Sequence, residues 1–148
     1  MNVRAAMWLL VSTLNVAACP ATQEEKMDTK KDKAMDLASL EKELGVPLPK
    51  DAKLLWVDHQ SGMDDLVRAK LQISRAAFDQ IAPRLPIQES QLRKGPGRLG
   101  TDTGAWNPHQ VPGLKSGSVA LEGARFLHLG LADDGAGGLT LFIVNHGT

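Results

Sequence analysis

Residues 66–73 read LVRAKLQI, and from Val67 onwards apolar and polar side chains alternate. The apolar positions are Val67, Ala69, Leu71 and Ile73, and the polar positions between them are Arg68, Lys70 and Gln72. Because successive side chains of a strand point to opposite faces of a sheet, this period of two predicts a strand with one buried face and one face towards water. The core of the protein is therefore expected to form on a sheet.

The apolar run that precedes this stretch predicts a neighbouring strand. Residues 53–58 read KLLWVD and are almost wholly apolar, which is typical of a strand buried on both faces. The connection formed by residues 59–65 is short enough for the two strands to pair as an antiparallel hairpin.

The second half of the chain returns to strand patterns at residues 119–121, 126–131 and 139–145. Residues 133–138 read DDGAGG and join the last two runs. Asp and Gly accept the positive backbone angles of a tight reversal, so this segment predicts a turn between antiparallel strands.

Two short helices are predicted from their capping residues. Asp36 is a candidate N-cap for a helix that carries leucines on one face and ends at Gly45. Ser74 is a candidate N-cap for a second helix of two to three turns, which Pro83 and Pro86 close. The apolar stripe of the second helix consists of Ala77, Phe78, Ile81 and Leu85.

The order of these elements predicts an α+β domain, in which one or two short helices pack on an antiparallel sheet of about four strands. Residues 89–112 interrupt the order with a long irregular stretch rich in Gly and Pro. Loops of this length are uncommon inside a compact domain and are often functional or mobile.

Composition excludes several classes of protein. The chain has 148 residues, with 17 Lys and Arg against 17 Asp and Glu, and only 4% aromatic residues. Balanced charge and few aromatic rings argue against a nucleic-acid partner. The hydrophobic fraction of 43% is that of an ordinary globular domain, so we expect one small domain over residues 34–148.

The amino terminus has the pattern of an export signal. A single basic residue, Arg4, precedes an apolar run that ends at Ala18 and is too short to span a membrane. The segment Val16-Ala17-Ala18-Cys19 contains the only cysteine of the chain and resembles the lipobox of bacterial lipoproteins. The layout of the rest of the chain is loosely similar to small envelope lipoproteins of uncharacterised function.

This resemblance implies that residues 1–18 are a lipoprotein signal peptide and that Cys19 carries acyl chains such as palmitate. Pro20 follows the cysteine, and the sorting rule of enteric lipoproteins then makes the periplasmic face of the outer membrane the default location. A plain secretory signal with a chance cysteine, or an uncleaved anchor, are the alternatives. Residues 19–33 are charged and nearly devoid of apolar side chains, which predicts a flexible tether between the lipid and the domain.

Two groups of residues have side chains of the types that bind metal ions. Asp58, His59, Asp64 and Asp65 surround the predicted hairpin turn, but their spacing matches no metal signature, so we expect solvated turn residues. His109, His128 and His146 lie on separate segments, and we expect no shared site, with His128 exposed or half-buried on its strand. The sequence thus predicts no bound metal and no cofactor.

The irregular stretch contains the residues that we favour as a binding surface. Arg93, Lys94 and Arg98 flank Gly-Pro-Gly at positions 95–97, a pattern of either an anion cradle or a plain basic loop that contacts lipid headgroups. Trp106 is either a plug that holds the loop on the core, which we favour, or an exposed binding residue.

These observations predict a membrane-tethered accessory or binding protein of the bacterial cell envelope that has no catalytic activity. Its expected partners are the lipid bilayer, through acylated Cys19, and an envelope protein. A small-ligand or ion-binding lipoprotein is the alternative. A hydrolase assembled from distant Ser, His and Asp residues is less favoured, because the chain has no nucleophile elbow and its one thiol is expected to be lipidated.

Overall fold

The computed structural model describes residues 35–147. The described segment contains two α-helices and six strands, with three short 3-10 turns between them. The elements are α1 (Leu37–Leu44), β1 (Lys53–Gln60), β2 (Leu66–Ser74), α2 (Arg75–Ile81), β3 (Arg93–Lys94), β4 (Lys115–Leu121), β5 (Arg125–Asp133) and β6 (Gly138–Gly147). The predicted signal peptide, Cys19 and the predicted tether lie outside the described residues.

The strands form one antiparallel sheet in the order β1-β2-β6-β5-β4-β3. The α+β class is therefore confirmed, but the sheet has six strands and not about four. One reason for the difference is β3, which is only two residues long and too short to show a period of two. β6, the last strand of the described residues, lies between β2 and β5 and so occupies an inner position in the sheet.

Both helices begin at their predicted N-caps, and α1 also ends at the predicted glycine, whereas α2 ends at Ile81 and continues as a 3-10 turn over Ala82–Arg84. Asp36 Oδ1 accepts a hydrogen bond from Ser39 N (2.8 Å), and α1 ends at Gly45, whose φ of 65° is the left-handed conformation that glycine adopts without strain. Ser74 Oγ accepts from Ala77 N (3.0 Å) at the start of α2. Among the described residues, no helix has the length and apolarity needed to cross a membrane.

One face of the sheet is covered by the two helices and is almost entirely aliphatic. The register pairs Leu71 of β2 with Leu141 of β6 and Leu141 with Leu131 of β5, so the apolar positions of three strands line up across this face. The buried strand residues of this face include Val67, Ala69, Leu71, Ile73, Leu127, Leu129, Leu131, Leu139, Leu141 and Ile143. We call it the helix-covered face.

The opposite face is covered by the long irregular stretch, and we call it the loop-covered face. Leu99, Trp106 and Leu114 of the loop pack against Phe142 and other residues of the strands. Gly130 of β5 makes this approach possible, because a Cβ atom there would lie 2.5 Å from Leu99 Cδ1. The predicted loop is thus a packed layer of the domain.

The prediction that the first strand is buried on both faces is wrong. β1 lies at one edge of the sheet and pairs only with β2, so part of its apolar surface remains open. Leu55 is 41% exposed, and the register shifts between Leu54 and Trp56. A short apolar run does not by itself distinguish a central strand from an edge strand.

Candidate functional site

Three polar side chains meet on the loop-covered face where β4, β5 and β6 lie side by side. Ser118 of β4 is directly opposite His128 of β5, and His146 of β6 is the diagonal neighbour of His128. Residues opposite each other on paired strands have Cβ atoms about 5 Å apart, and diagonal neighbours remain within reach of longer side chains. The sheet register therefore brings together residues that are up to 28 positions apart in the chain.

The two imidazoles contact each other through their Nε2 atoms, which are 3.0 Å apart. The ring centroids are 5.1 Å apart and the rings are inclined by 29°, so the rings meet edge to edge. A distance of 3.0 Å is that of a hydrogen bond, in which one ring donates its N–H and the other accepts. We call His128 and His146 the histidine pair.

Ser118 continues this contact on the other side of His128. Its Oγ atom is 2.7 Å from His128 Nδ1, so both ring nitrogens of His128 have a partner. Phe126 stacks on the other histidine of the pair, His146, with ring centroids 5.4 Å apart. The orientation of both imidazoles is thereby set by neighbours on three strands.

The environment of His128 favours its neutral form. The side chain is only 4% exposed, and this burial is the main cause of a pKa lowered from the usual 6.5, with smaller contributions from His146 and Arg98. The prediction that His128 is exposed or half-buried is wrong. β5 is an inner strand, and the side chains of β4 and β6 close around it.

Trp106 is a plug, the interpretation that the sequence favours. It is 0% exposed, and its Nε1 donates a hydrogen bond to the Leu99 carbonyl (3.2 Å). Its ring lies 5.4 Å from that of Trp56 and 5.2 Å from that of Phe142. Trp106 therefore holds the loop on the sheet and does not belong to the binding surface in which we had included it.

The three basic residues of the expected binding surface are all exposed. Arg93 and Lys94 form β3 at the edge of the sheet, where Lys94 is directly opposite Lys115 of β4. Arg98 follows in the loop, near enough to His128 to influence its pKa. We call Arg93, Lys94, Arg98 and Lys115 the basic edge.

Two of the acidic residues around the first hairpin, Asp58 and Asp65, make structural contacts. Asp58 forms an ion pair with Arg68 (2.6 Å), and Asp65 Oδ1 accepts from Gly62 N (3.2 Å) inside the turn. Across residues 35–147, no group of three or more His, Cys, Asp or Glu side chains is arranged to hold a metal ion.

The third histidine stands apart from the pair. His109 Nδ1 lies 3.0 Å from Asp102 Oδ1 within the loop, and its backbone N–H donates to the same carboxylate oxygen. These hydrogen bonds from His109 are the main reason that the pKa of Asp102 is lowered from 3.8. This contact holds the segment around Asp102 against the segment around His109.

The histidine pair is the part of the site that the sequence analysis missed, although a signal was present. In an antiparallel hairpin the numbers of paired residues have a constant sum, and a turn within residues 133–138 predicts a sum of about 272. The observed pairs have this sum, as His128 with Val144 shows. Such a register makes positions 128 and 146 diagonal neighbours on one face. Spacing within the chain was the wrong criterion, because the two histidines meet across a hairpin.

Comparisons with known proteins give no relative to this chain. No protein-family model, no curated protein and no solved structure matches it.

Proposed function

We propose that this protein is a lipid-tethered lipoprotein of the bacterial envelope that acts as a non-catalytic binding protein and recognises an acidic partner protein through its basic edge. The observation that carries the proposal is the concentration of four exposed cations at one end of the sheet. Among the described residues, no carboxylate lies within ion-pairing distance of any of the four.

The arrangement of the basic edge is costly in the free protein. Lys94 and Lys115 are directly opposite each other on paired strands, and like charges in such positions are destabilising. An acidic surface that binds there relieves this repulsion and gains charge-assisted hydrogen bonds. Two other cations of the domain do have carboxylate partners: Arg68 pairs with Asp58, and Arg75 makes a bidentate contact with Glu89.

The lipid tether is the second part of the proposal. Acylation of Cys19 attaches the chain to the bilayer, with the periplasmic face of the outer membrane as the proposed location. A flexible tether of about 14 residues holds a domain on the order of 20 Å from the point of attachment.

Mass spectrometry of the amino-terminal peptide from the membrane fraction tests the tether. We expect a mature chain that begins at a diacylglyceryl or triacyl Cys19. The Cys19→Ala variant is expected to remain unprocessed. An unmodified cysteine in the wild type, or a mature chain cut elsewhere, contradicts lipid attachment but leaves the basic edge to be tested separately.

Site-specific photo-crosslinking in cells tests the binding surface. A benzophenone amino acid at Lys94 is expected to give one discrete protein adduct. The matched control is the same amino acid at Lys53, which is also exposed but belongs to β1 at the opposite edge of the sheet. No adduct from Lys94, or identical adducts from both positions, contradicts the proposal.

The hydrolase alternative receives little support from the geometry. Ser118 contacts His128, but the group on the far side of His128 is a second imidazole and not a carboxylate. A fluorophosphonate probe is expected to leave Ser118 unlabelled. Labelling that depends on His128 contradicts the non-catalytic role.

A further inference from the structure

We propose that Nε2 of His128 and Nε2 of His146 together bind one divalent transition-metal ion of the zinc class on the loop-covered face. The sequence predicts no metal site, because the histidine pair forms only in the folded sheet. The proposal does not depend on the basic edge or on the lipid tether.

The spacing of the two nitrogens is close to that of a metal site. A tetrahedral ion with metal–nitrogen bonds of about 2.0–2.1 Å holds two nitrogen ligands about 3.3 Å apart. The two Nε2 atoms are already 3.0 Å apart, so a small rotation of either ring about its χ angles accommodates the ion. With Nδ1–H of His128 donated to Ser118, the proton between the two Nε2 atoms belongs to His146, and it moves to Nδ1 of His146 when the metal binds.

Ser118 supports His128 as a ligand. A metal-bound histidine almost always donates its other N–H to an acceptor, which sets its tautomer and ring orientation. Ser118 Oγ, at 2.7 Å from Nδ1, is placed to accept that N–H and to leave the Nε2 lone pair directed at the metal. Phe126, stacked on His146, restrains the orientation of the second ring.

The chemistry of the pair selects the class of ion. Imidazole nitrogens suit zinc, copper, nickel and cobalt, whereas magnesium and calcium require oxygen ligands. The described residues supply two ligands, so water fills the remaining positions, and the half-buried His146 leaves them open to solvent. Such a site has open coordination positions and is more similar to a catalytic or ligand-exchanging site than to a closed structural one.

The positive charge of Arg98 influences which ligands bind at the open coordination positions of the metal. A guanidinium in the surroundings of His128 opposes a bare dication and favours an anion as an additional metal ligand. The Arg98→Ala variant is expected to bind zinc at least as tightly as the wild type in the absence of such anions.

The test is a titration of the full chain, purified in detergent without a polyhistidine tag, with zinc by calorimetry and with cobalt by visible absorption. The wild type is expected to bind one equivalent of either metal and to show no binding of magnesium. His146→Ala, at a half-exposed position, and His128→Ala are both expected to lose this binding. Ser118→Ala is expected to weaken it about tenfold, as for other partners of metal ligands.

The control variant is His109→Ala, which removes an exposed histidine of the loop and is expected to bind like the wild type. Circular dichroism of each variant confirms that the sheet has formed. The absence of saturable binding to the folded wild type overturns the proposal. So does zinc binding of unchanged affinity in both His128→Ala and His146→Ala, since the ligands then lie elsewhere in the chain.

Discussion

The two faces of the sheet are covered in different ways, although the same strands supply both. Helices α1 and α2 cover one face, and its buried strand residues are aliphatic with the exception of Asn145. A loop covers the other face, where Trp106 packs against aromatic rings and a histidine is buried beside a serine. Every polar contact that we assign to function lies on the loop-covered face or at its end.

This difference has a physical origin. Burial of aliphatic side chains under the helices stabilises the fold without requiring particular partner atoms, because the hydrophobic effect is non-directional. Buried polar groups such as His128 require hydrogen-bond partners in defined positions, and the antiparallel register provides them. The helix-covered face therefore contributes most of the stability, and the loop-covered face positions the chemistry.

The largest expected effect is the loss of stability on removal of Trp106, the plug of the loop-covered face. Trp106→Ala removes a fully buried ring and is expected to lower the free energy of unfolding by about 3–5 kcal/mol. Urea unfolding measures this loss, and hydrogen exchange is expected to rise first in residues 95–114. A matched Trp56→Ala variant removes a half-buried ring and is expected to cost less. Equal costs for the two variants contradict the plug.

The next effect concerns Asn145, the polar exception on the helix-covered face. Its Nδ2 donates to the carbonyls of Leu44 (2.8 Å) and Glu43 (3.4 Å), and so satisfies the carboxyl end of α1. Asn145→Ala leaves these carbonyls without that donor and is expected to cost about 1–3 kcal/mol in chemical unfolding. A neutral result shows that water replaces the side chain and that this contact adds nothing to the helix-covered face.

A smaller effect follows from the lowered pKa of His128. The unfolded chain takes up a proton at this residue more readily than the folded chain, so the free energy of unfolding falls as the pH decreases through about 6.5. Unfolding curves at pH 7.5 and 5.5 measure the change above the range in which most carboxylates titrate. His128→Gln is expected to reduce the change, whereas the exposed His59→Gln is expected to retain it.

The smallest effect on stability is expected at the basic edge. Arg93→Ser with Lys94→Ser changes two exposed residues and is expected to alter the free energy of unfolding by less than about 0.5 kcal/mol. Thermal or urea unfolding checks this expectation. A loss of several kcal/mol indicates instead that the basic edge is a structural element, and removes the reason for assigning it to a partner.

Much of the helix-covered face could be predicted from the sequence, because it follows simple periods. Residues 66–73 were predicted as a strand and lie within β2, and Asp36 and Ser74 cap the helices that they were expected to cap. Residues 126–131 and 139–145 lie within β5 and β6. Local signals of this kind depend only on neighbours in the chain.

The loop-covered face could be predicted only in part, because it depends on contacts between distant residues. The sequence favoured Trp106 as a plug, but it did not indicate that Gly130 makes room for the loop. It left Ser118, His128 and His146 as unrelated residues, since their meeting requires the register of three strands. β3 formed from two residues that show no strand pattern of their own.

The measurement that tests the account most directly compares partner capture by two charge-reversal variants. Arg93→Glu with Lys94→Glu reverses the basic edge, and Lys42→Glu with Lys50→Glu reverses two exposed lysines that lie outside it. After cross-linking in intact cells and purification from membranes, we expect the first variant to lose the envelope protein that the wild type captures and the second to retain it. Equal capture by both variants, each folded as judged by circular dichroism, would contradict the assignment of binding to the basic edge.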